Sequence, residues 1–230
     1  MPLGVLVDCA AVGIGGLLGC AFGRALPRRT RELLNVIFGF CAMAIGVNSI
    51  IRVSAMAPVI LSVVLGCMFG DLLDMETGLK RLAGRMVALL PAREGFDMDR
   101  FVTVIVLFCA SGFGIYGVLL SGMSGNHSVL LSKSVLDCAT AAVFAVALGP
   151  AVAAVCLPMA AVMLSLFAAS GLLAPVVTET MLRDFMACGG VLTLVTGFRV
   201  AGIKNTPITN MIPALILVMP LSALYVLLPL

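Results

Sequence analysis

Lys133 and Asp137 are the residues of this chain whose types and spacing best suit chemistry, because they lie four positions apart in the apolar stretch "LLSKSVLD". Residues four apart share one face of a helix, and Ser134 adds a hydroxyl beside them. Asp137 could take up a proton or a cation, and Lys133 could hold it ionised. An ionisable group at a bilayer centre costs about 2.5–3.5 kcal/mol on insertion scales. The pair is therefore either a working site or a neutralised pair without function.

Three more polar residues lie in apolar segments: Asp8, Asn48 and Arg199. Intramembrane ionisable groups usually face a bundle interior or a pathway, so all three are candidates for a substrate or ion pathway. Two of them also have a plainer explanation. Asp8 could sit at the outer interface, and Arg199 could extend towards the cytoplasm. Asp137 could pair with Arg199 from another helix instead of with Lys133.

A glycine-rich stretch, "CASGFGIYG", supplies the remaining pathway candidates: Ser111, Gly112 and Gly114. Each glycine weakens a helix by about 1 kcal/mol. Broken backbone at membrane depth is tolerated where protein or a water-filled cavity covers it. The same glycines would also allow two helices to pack closely. An unwound, pathway-lining segment and close packing both remain open.

Enzyme, metal and cofactor chemistry is not expected. The sequence has no H-E-x-x-H, G-x-S-x-G or P-loop pattern, although an intramembrane aspartate dyad of Asp8 with Asp137 stays open. The single histidine, His127, has no carboxylate cluster near it, and the eight cysteines show no C-x-x-C spacing. The net charge of +3 comes from basic residues beside apolar runs, so no nucleic-acid partner is expected.

The elements that must position these residues are membrane helices. The chain is 62% hydrophobic and 11% charged, against about 25% charged in ordinary soluble domains. A membrane helix needs about 20 mostly apolar residues. The fold class expected is an all-α, multi-pass membrane protein in the lipid bilayer. Eight spans are predicted, at about 3–23, 34–52, 55–73, 101–120, 129–148, 151–174, 185–203 and 209–229.

The fifth and sixth spans share one uncharged run, residues 138–178. At about 1.5 Å per residue this run is roughly twice the thickness of a bilayer core. The motif "LGPAV", Leu148–Val152, offers a Gly-Pro turn. A tight hairpin of two spans is therefore predicted over a single broken one.

Basic residues predict the orientation. The odd-numbered loops carry ten lysines and arginines and the even-numbered loops two. The positive-inside rule places the odd loops in the cytoplasm and both termini on the periplasmic or extracellular side. In the third loop, Leu79, Leu82, Met86 and Leu89 form a helical stripe with basic residues beside it, which predicts an amphipathic helix on the inner leaflet.

The two ends of the chain resemble each other. Gly39 and Gly46 lie seven apart before a helix carrying Pro58, as Gly190 and Gly197 do before a helix carrying Pro213. The offset is five spans, so the two three-helix units would have opposite orientations, as in many transporters. A single membrane domain is predicted, with four parts: repeat one (1–73), a cytoplasmic amphipathic linker (74–100), a central helix pair (101–149) and repeat two (150–230).

Longer motifs point to a family. "VIVLFCASGFGIYG" with "GMSGNHSVLLSKSVLD", the segment "FGFCAMAIG" and the end "GFRVAGIKNTPITNMIPALILVMPL" resemble the YdfK/YqgA-type bacterial integral membrane proteins, a domain-of-unknown-function family. The resemblance runs from about Gly4 to the C-terminus. It implies a protein of the bacterial cytoplasmic membrane, and it carries over no substrate and no functional residue.

Two functions are compatible with these features. The first is a small secondary transporter or channel-like permease for a small solute or ion, with Asp137 as its central residue. The second is a non-transporting structural or interaction protein in which the buried charges are packing pairs. Small residues on the helices permit a homodimer without requiring it.

Overall fold

A computed structural model describes residues 1–23, 27–88 and 96–227. These residues form helices and loops, without a strand. The helices are α1 (Leu3–Gly23), α2 (Arg28–Ile50), α3 (Met56–Leu72), α4 (Met75–Ala88), α5 (Met98–Cys109), α6 (Gly112–Ser124), α7 (Ser128–Leu148), α8 (Ala151–Ala154), α9 (Cys156–Leu173), α10 (Glu179–Val200), a 3-10 helix (Ile208–Met211) and α11 (Pro213–Leu227).

Seven helical segments in the described ranges are long and apolar enough to cross a membrane, and α3 with α4 makes an eighth if that bent pair is counted. The all-α prediction with about eight spans is confirmed. Helix α3 turns by 64° into α4 through Asp74, which has a φ of 48°. Helices α2 and α10 begin about six residues before the predicted spans, because an apolar run marks the membrane part of a helix and not its charged first turns.

The hairpin predicted within residues 138–178 is present. Helix α7 ends at Leu148, and Gly149 follows with a φ of 68°. This left-handed conformation suits glycine, and Pro150 then starts the next helical segment. The long uncharged run is therefore two spans, α7 and the α8–α9 pair.

The fourth predicted span is broken in the middle. Helix α5 ends at Cys109 and α6 begins at Gly112. Ser111 lies between them as the N-cap of α6, and its hydroxyl accepts a hydrogen bond from the Gly114 amide at 3.4 Å. The glycines of this segment also allow close packing: a Cβ added to Gly112 would lie 2.5 Å from the Gly189 Cα. Both properties considered at the sequence level, a break and close packing, occur together.

Close helix contacts through small residues arrange the bundle. Helix α1 runs parallel to α7, since Gly4 approaches Leu130 and Gly15 approaches Cys138. Helix α2 runs antiparallel to α10. Gly46 approaches Gly190 in the middle of α10, whereas Gly39, earlier in α2, approaches Ala201 just after the end of α10. Helix α11 packs on α3, and α9 packs on α6. Without a hydrophobic driving force between helices in lipid, such small-residue contacts supply the packing.

The amphipathic helix predicted in the third loop corresponds to α4. Its buried residues are Glu76, Ala83 and Val87, while Leu82 of the predicted apolar stripe is 53% exposed. The stripe's last member, Leu89, lies outside the described residues. The helix is present, and its place on the inner leaflet stays a prediction.

Candidate functional site

The predicted pair of Lys133 and Asp137 is part of a larger buried cluster. The Lys133 ammonium donates to the Oδ2 atom of Asp137 and also to the Oδ2 atom of Asp8, the second at 3.2 Å. Asp8, Lys133 and Asp137 are 0%, 3% and 6% exposed. We call these three residues the Lys133 cluster. The site that the sequence predicted on α7 alone therefore also includes a residue of α1.

Parallel packing of α1 and α7 explains how Asp8 reaches Lys133. Each residue lies five positions after the start of its helix, Leu3 in α1 and Ser128 in α7. At about 1.5 Å per residue both are roughly 7 Å into the bundle. Gly114 of α6 leaves room for the lysine stem, since a Cβ there would lie 2.8 Å from the Lys133 Cε. Asp8 is thus buried inside the bundle, and its depth relative to the membrane surface stays a prediction.

The charges of the Lys133 cluster do not balance. One ammonium faces two carboxylates, so the ionised cluster carries one excess negative charge. Within the described structure the Oδ1 atom of Asp8 is buried without a hydrogen-bond partner. A buried acceptor without a partner costs about 1–3 kcal/mol, and more when charged. The cluster is thus arranged to accept a proton or another positively charged group.

A cavity of about 250 Å³ reaches two members of this cluster, and we call it the middle cavity. Ser111 and Phe113, from the broken segment between α5 and α6, form part of its wall. Its lining residues are Phe38, Cys41, Ala42, Ile45, Leu107, Ser111, Phe113, Lys133, Leu136, Asp137, Ala139, Thr140, Phe144, Thr193 and Val200. Cys41 and Ala139 are exposed, so the cavity also opens sideways between α2 and α7.

Two further cavities lie at the ends of the bundle. The larger, about 820 Å³, is lined by Asn48, Arg52, Phe113, Tyr116 and Arg183 among others. We call it the Arg52 cavity. Phe113 is in its wall and in the wall of the middle cavity.

The cavity at the opposite end has a volume of about 240 Å³ and is lined by Asp97, Asp99, Arg199 and Lys204 among others. We call it the Arg199 cavity. It shares Phe144 and Val200 with the middle cavity. The three cavities thus form a row through the bundle, separated by Phe113 on one side and by Phe144 with Val200 on the other.

Arg199 does not meet Asp137, so that predicted alternative is wrong. Its guanidinium donates to Glu76 Oε1 at 2.9 Å and to the Thr206 carbonyl at 3.0 Å. Asp99 lies 3.6 Å away. The reason is depth: Arg199 is the penultimate residue of α10, beside the start of α4, whereas Asp137 is nearer the other end of the bundle.

Hydrogen bonds complete the surroundings of Arg199. Lys80 pairs with Asp99 at 2.6 Å. The Glu76 amide donates to Asn210 Oδ1 at 2.9 Å, and the Thr209 amide donates to Glu76 Oε2 at 3.4 Å. We call Arg199, Glu76, Asp99 and Lys80 the Arg199 cluster. Its two cations and two carboxylates balance.

Two buried carboxylates escaped the sequence reasoning, Glu76 and Asp184. Asp184 is 1% exposed. Its Oδ1 accepts from the amides of Ser54 and Ala55 at 2.9 and 2.8 Å, and its Oδ2 accepts from the Ser222 hydroxyl at 2.6 Å. Ala55 is the N-cap residue of α3, so Asp184 satisfies backbone donors at that helix start. Its position in the first turns of α10 resembled an interfacial charge, and no local pattern indicated its distant partners.

The other predicted site residues have distinct places. Asn48 is exposed in the wall of the Arg52 cavity. Ser134 is buried, but its hydroxyl donates to the Leu131 carbonyl of its own helix at 2.8 Å. His127 lies in the predicted loop, with its Nδ1 atom 2.6 Å from the Ser121 hydroxyl.

The described residues offer no group of side chains with the composition of a metal site. Among residues 1–23, 27–88 and 96–227, no three histidine, cysteine, aspartate or glutamate side chains gather where a metal ion could bind. All eight cysteines are free thiols.

Comparison with known proteins gives one family and two relatives. The family model described as "Protein of unknown function (DUF554)" matches residues 3–223. The chain is 39% identical to "Uncharacterized protein YqgA" of Escherichia coli (strain K12) over 229 residues, which cover 97% of each chain. It is 24% identical to "Uncharacterized membrane protein YdfK" of Bacillus subtilis (strain 168) over 218 residues, 93% of each chain. No solved structure matches it.

Proposed function

This chain belongs to the DUF554 family of membrane proteins, and from that premise we propose that it is a small permease for a small solute or ion. The observation that carries the proposal is the row of three cavities with the Lys133 cluster beside the middle one. A protein whose buried charges served only packing would not need cavities at both ends that share walls with a central one.

Conformation gives the first supporting argument. The Arg52 cavity has more than three times the volume of the Arg199 cavity, about 820 against 240 Å³. Alternating access requires a binding site that is open to one side and closed to the other. The proposed state is open towards Arg52 and narrow between Phe144 and Arg199. Positive-inside orientation would place the Arg52 side outside the cell.

The predicted inverted repeat gives the second argument. Gly39 was aligned with Gly190, and Gly46 with Gly197. A two-fold axis between the units requires reciprocal contacts: if Gly39 contacts Gly197, then Gly46 must contact Gly190. Both contacts are present, since Cβ atoms added to Gly197 and Gly46 would each lie 2.7 Å from the partner glycine's carbonyl oxygen. Any antiparallel pair with glycines seven apart would make both contacts, so they are compatible with two units that could rock against each other across α2 and α10.

Within this proposal the residues have separate roles. Asp137 takes the proton, cation or substrate contact, and Lys133 holds it in place. Asp8 supplies the second carboxylate and the open acceptor atom. Phe113 closes the middle cavity on one side, and Phe144 with Val200 closes it on the other. We expect no enzymatic step, since this arrangement needs only binding and release.

Reconstitution into liposomes tests the proposal. The purified protein is screened by currents on a solid-supported membrane, or by an entrapped pH dye, while inorganic ions, amines, amino acids and organic acids are added one at a time. The proposal expects a signal for at least one solute and its loss in Asp137→Asn.

Asp74→Asn is the matched control. Asp74 is exposed, lines none of the three cavities, and has a φ of 48°, a conformation that asparagine also adopts readily. This variant should keep the full signal. A signal of equal size in Asp137→Asn, with the protein folded, would contradict the proposal and favour the packing role.

A further inference from the structure

The chemistry of the middle cavity, together with the proposed function on which this step rests, narrows the solute class. We propose that the middle cavity binds a small organic cation, an alkylammonium group with a short apolar substituent. Four features of the cavity support this choice: its charge, its hydrogen-bonding groups, its aromatic rings and its side opening.

Charge comes first. Asp137 and Lys133 are both in the wall, and the Lys133 ammonium is shared with Asp8, which lies behind it and does not line this cavity. The excess negative charge therefore belongs to the cluster that borders the cavity. The break between α5 and α6 adds a negative helix end at Leu107 and a positive one at Ser111. These partial charges, each about half a unit, largely offset one another. The Lys133 cluster therefore determines the sign of the electrostatic potential in the middle cavity, and a negative potential favours a cation.

Two hydroxyl groups of the wall, those of Thr140 and Thr193, act as acceptors towards a ligand. Thr140 donates its hydroxyl proton to the Leu136 carbonyl, and Thr193 donates its own to the Gly189 carbonyl, both at 2.8 Å. Each oxygen then retains only lone pairs for a ligand. The Lys133 ammonium in the wall donates to both carboxylates of its cluster, so an anion would meet mainly carboxylate and hydroxyl lone pairs, whereas a ligand with N–H donors fits such a wall.

Aromatic rings distinguish an organic cation from a bare metal ion. Phe38, Phe113 and Phe144 all line the cavity. A ring face attracts an ammonium group by about 0.5–2 kcal/mol, depending on desolvation. Hard inorganic cations instead prefer a shell of several oxygen ligands. Besides the Lys133–Asp137 pair, the wall offers three phenylalanines and a few hydroxyls, which suit an organic ammonium better than a metal ion.

The side opening accounts for the apolar substituent. Leu136 is 46% exposed, and Cys41 and Ala139 beside it are exposed too. An alkyl chain could lie along this edge while its ammonium group reaches Asp137. The volume of about 250 Å³ leaves room for a molecule of a few carbon atoms.

Equilibrium binding tests the inference with three matched probes. Butylammonium, 1-butanol and butyrate have the same chain and differ in the charge of the head group. Binding to the purified protein in detergent is measured by calorimetry and by thermal shift, with sodium and potassium chloride as further probes. We expect butylammonium to bind and to raise the melting temperature, with little effect from the other four.

Variants locate the site. Asp137→Asn should abolish butylammonium binding, and Asp74→Asn should retain it. Should Asp137→Asn fold poorly, Phe113→Leu serves instead: it keeps an apolar wall but loses the ring, so butylammonium affinity should fall roughly threefold to tenfold. Binding that is unaffected by Phe113→Leu, or equal for butanol and butylammonium, would overturn the inference.

The two proposals fail in different ways. If a solute other than a cation drives a signal in liposomes and butylammonium does not bind, the permease proposal stands and the solute class is wrong. Stabilisation by sodium or potassium alone would also overturn the organic-cation assignment. If butylammonium binds at Asp137 but no solute produces flux, the cation site stands and transport is wrong.

Discussion

Two clusters of this molecule place a buried cation between two carboxylates. Lys133 lies between Asp8 and Asp137, and Arg199 lies between Glu76 and Asp99. The Arg199 cluster includes Lys80, and Asp99 is 50% exposed, so its charges balance and one member reaches the surface. The Lys133 cluster has no second cation among the described residues, and its three side chains are at most 8% exposed.

Hydrogen bonding separates the two clusters further. Glu76 accepts from the Thr209 amide, and Arg199 donates to the Thr206 carbonyl, so the backbone completes the Arg199 cluster. Asp8 keeps an acceptor atom without a partner in the described structure. Desolvation of charges is expensive, and it is offset only where the remaining hydrogen bonds are satisfied. The difference indicates that the Arg199 cluster holds α4 and α10 together, and it supports the proposal that the Lys133 cluster receives a ligand.

The largest effect on stability is expected for Lys133→Gln. This change leaves two buried carboxylates without their cation, and breaking a buried pair costs about 3–5 kcal/mol. We expect little monodisperse protein in size-exclusion chromatography. The double variant Lys133→Gln with Asp137→Asn should recover part of the yield, because it removes one of the two charges. If Lys133→Gln alone were as stable as the wild type, the cluster could not be ionised as described.

Arg199→Gln should have a smaller effect. Hydrogen bonds to charged groups contribute about 1.5–3 kcal/mol, and Lys80 remains within 3.8 Å of Glu76. We expect a lower melting temperature in detergent and, because Arg199 lines the Arg199 cavity, a partial fall of the liposome signal per folded protein that is smaller than the loss in Asp137→Asn. Complete loss of the signal without loss of stability would show that the Arg199 cluster is as important for function as the Lys133 cluster, which would contradict the comparison.

Asp137→Asn should lower stability little or raise it. The substitution leaves Lys133 with Asp8, one cation with one carboxylate, and so removes the excess buried charge. The melting temperature should equal or exceed that of the wild type while the liposome signal is lost. A marked fall in melting temperature would instead indicate that Asp137 is needed for packing.

The smallest effect is expected for Arg183→Gln at the protein surface. Arg183 pairs with Glu179 at 2.6 Å, and their side chains are 55% and 78% exposed. Exposed pairs contribute about 0.2–1 kcal/mol. Thermal unfolding should show a change near the limit of detection, which gives a reference value for the buried clusters. A shift as large as that of Arg199→Gln would mean that exposure does not weaken this pair.

Local sequence patterns predicted the local features of this fold. The all-α class, the turn at Gly149 and the break near Ser111 follow from apolar runs and from glycine and proline positions within a few residues. The Lys133–Asp137 contact was predictable too, because both residues lie on one helix face. In each case the residues that form the pattern and the structural feature that they predict lie within about two helical turns of each other.

Long-range partners were not predictable in the same way. Asp8 meets Lys133 across 125 residues, and Arg199 meets Glu76 across 123. These contacts depend on the parallel register of α1 with α7 and on the 64° bend between α3 and α4. A charge near a helix end, such as Asp184, could also serve at the interface or inside the bundle, and only helix packing decides between the two.

Access of water to the middle cavity tests the central claim most directly. The native cysteines are replaced, and Thr140→Cys is introduced in the wall beside Asp137. A membrane-impermeant methanethiosulfonate carrying a trimethylammonium group is added to each side of intact proteoliposomes, and modification is read by mass spectrometry. A matched protein that keeps only Cys188, which is 0% exposed and lines none of the three cavities, is the control. The account predicts that Thr140→Cys is modified from at least one side while Cys188 is not. Protection of both thiols from both sides would contradict it.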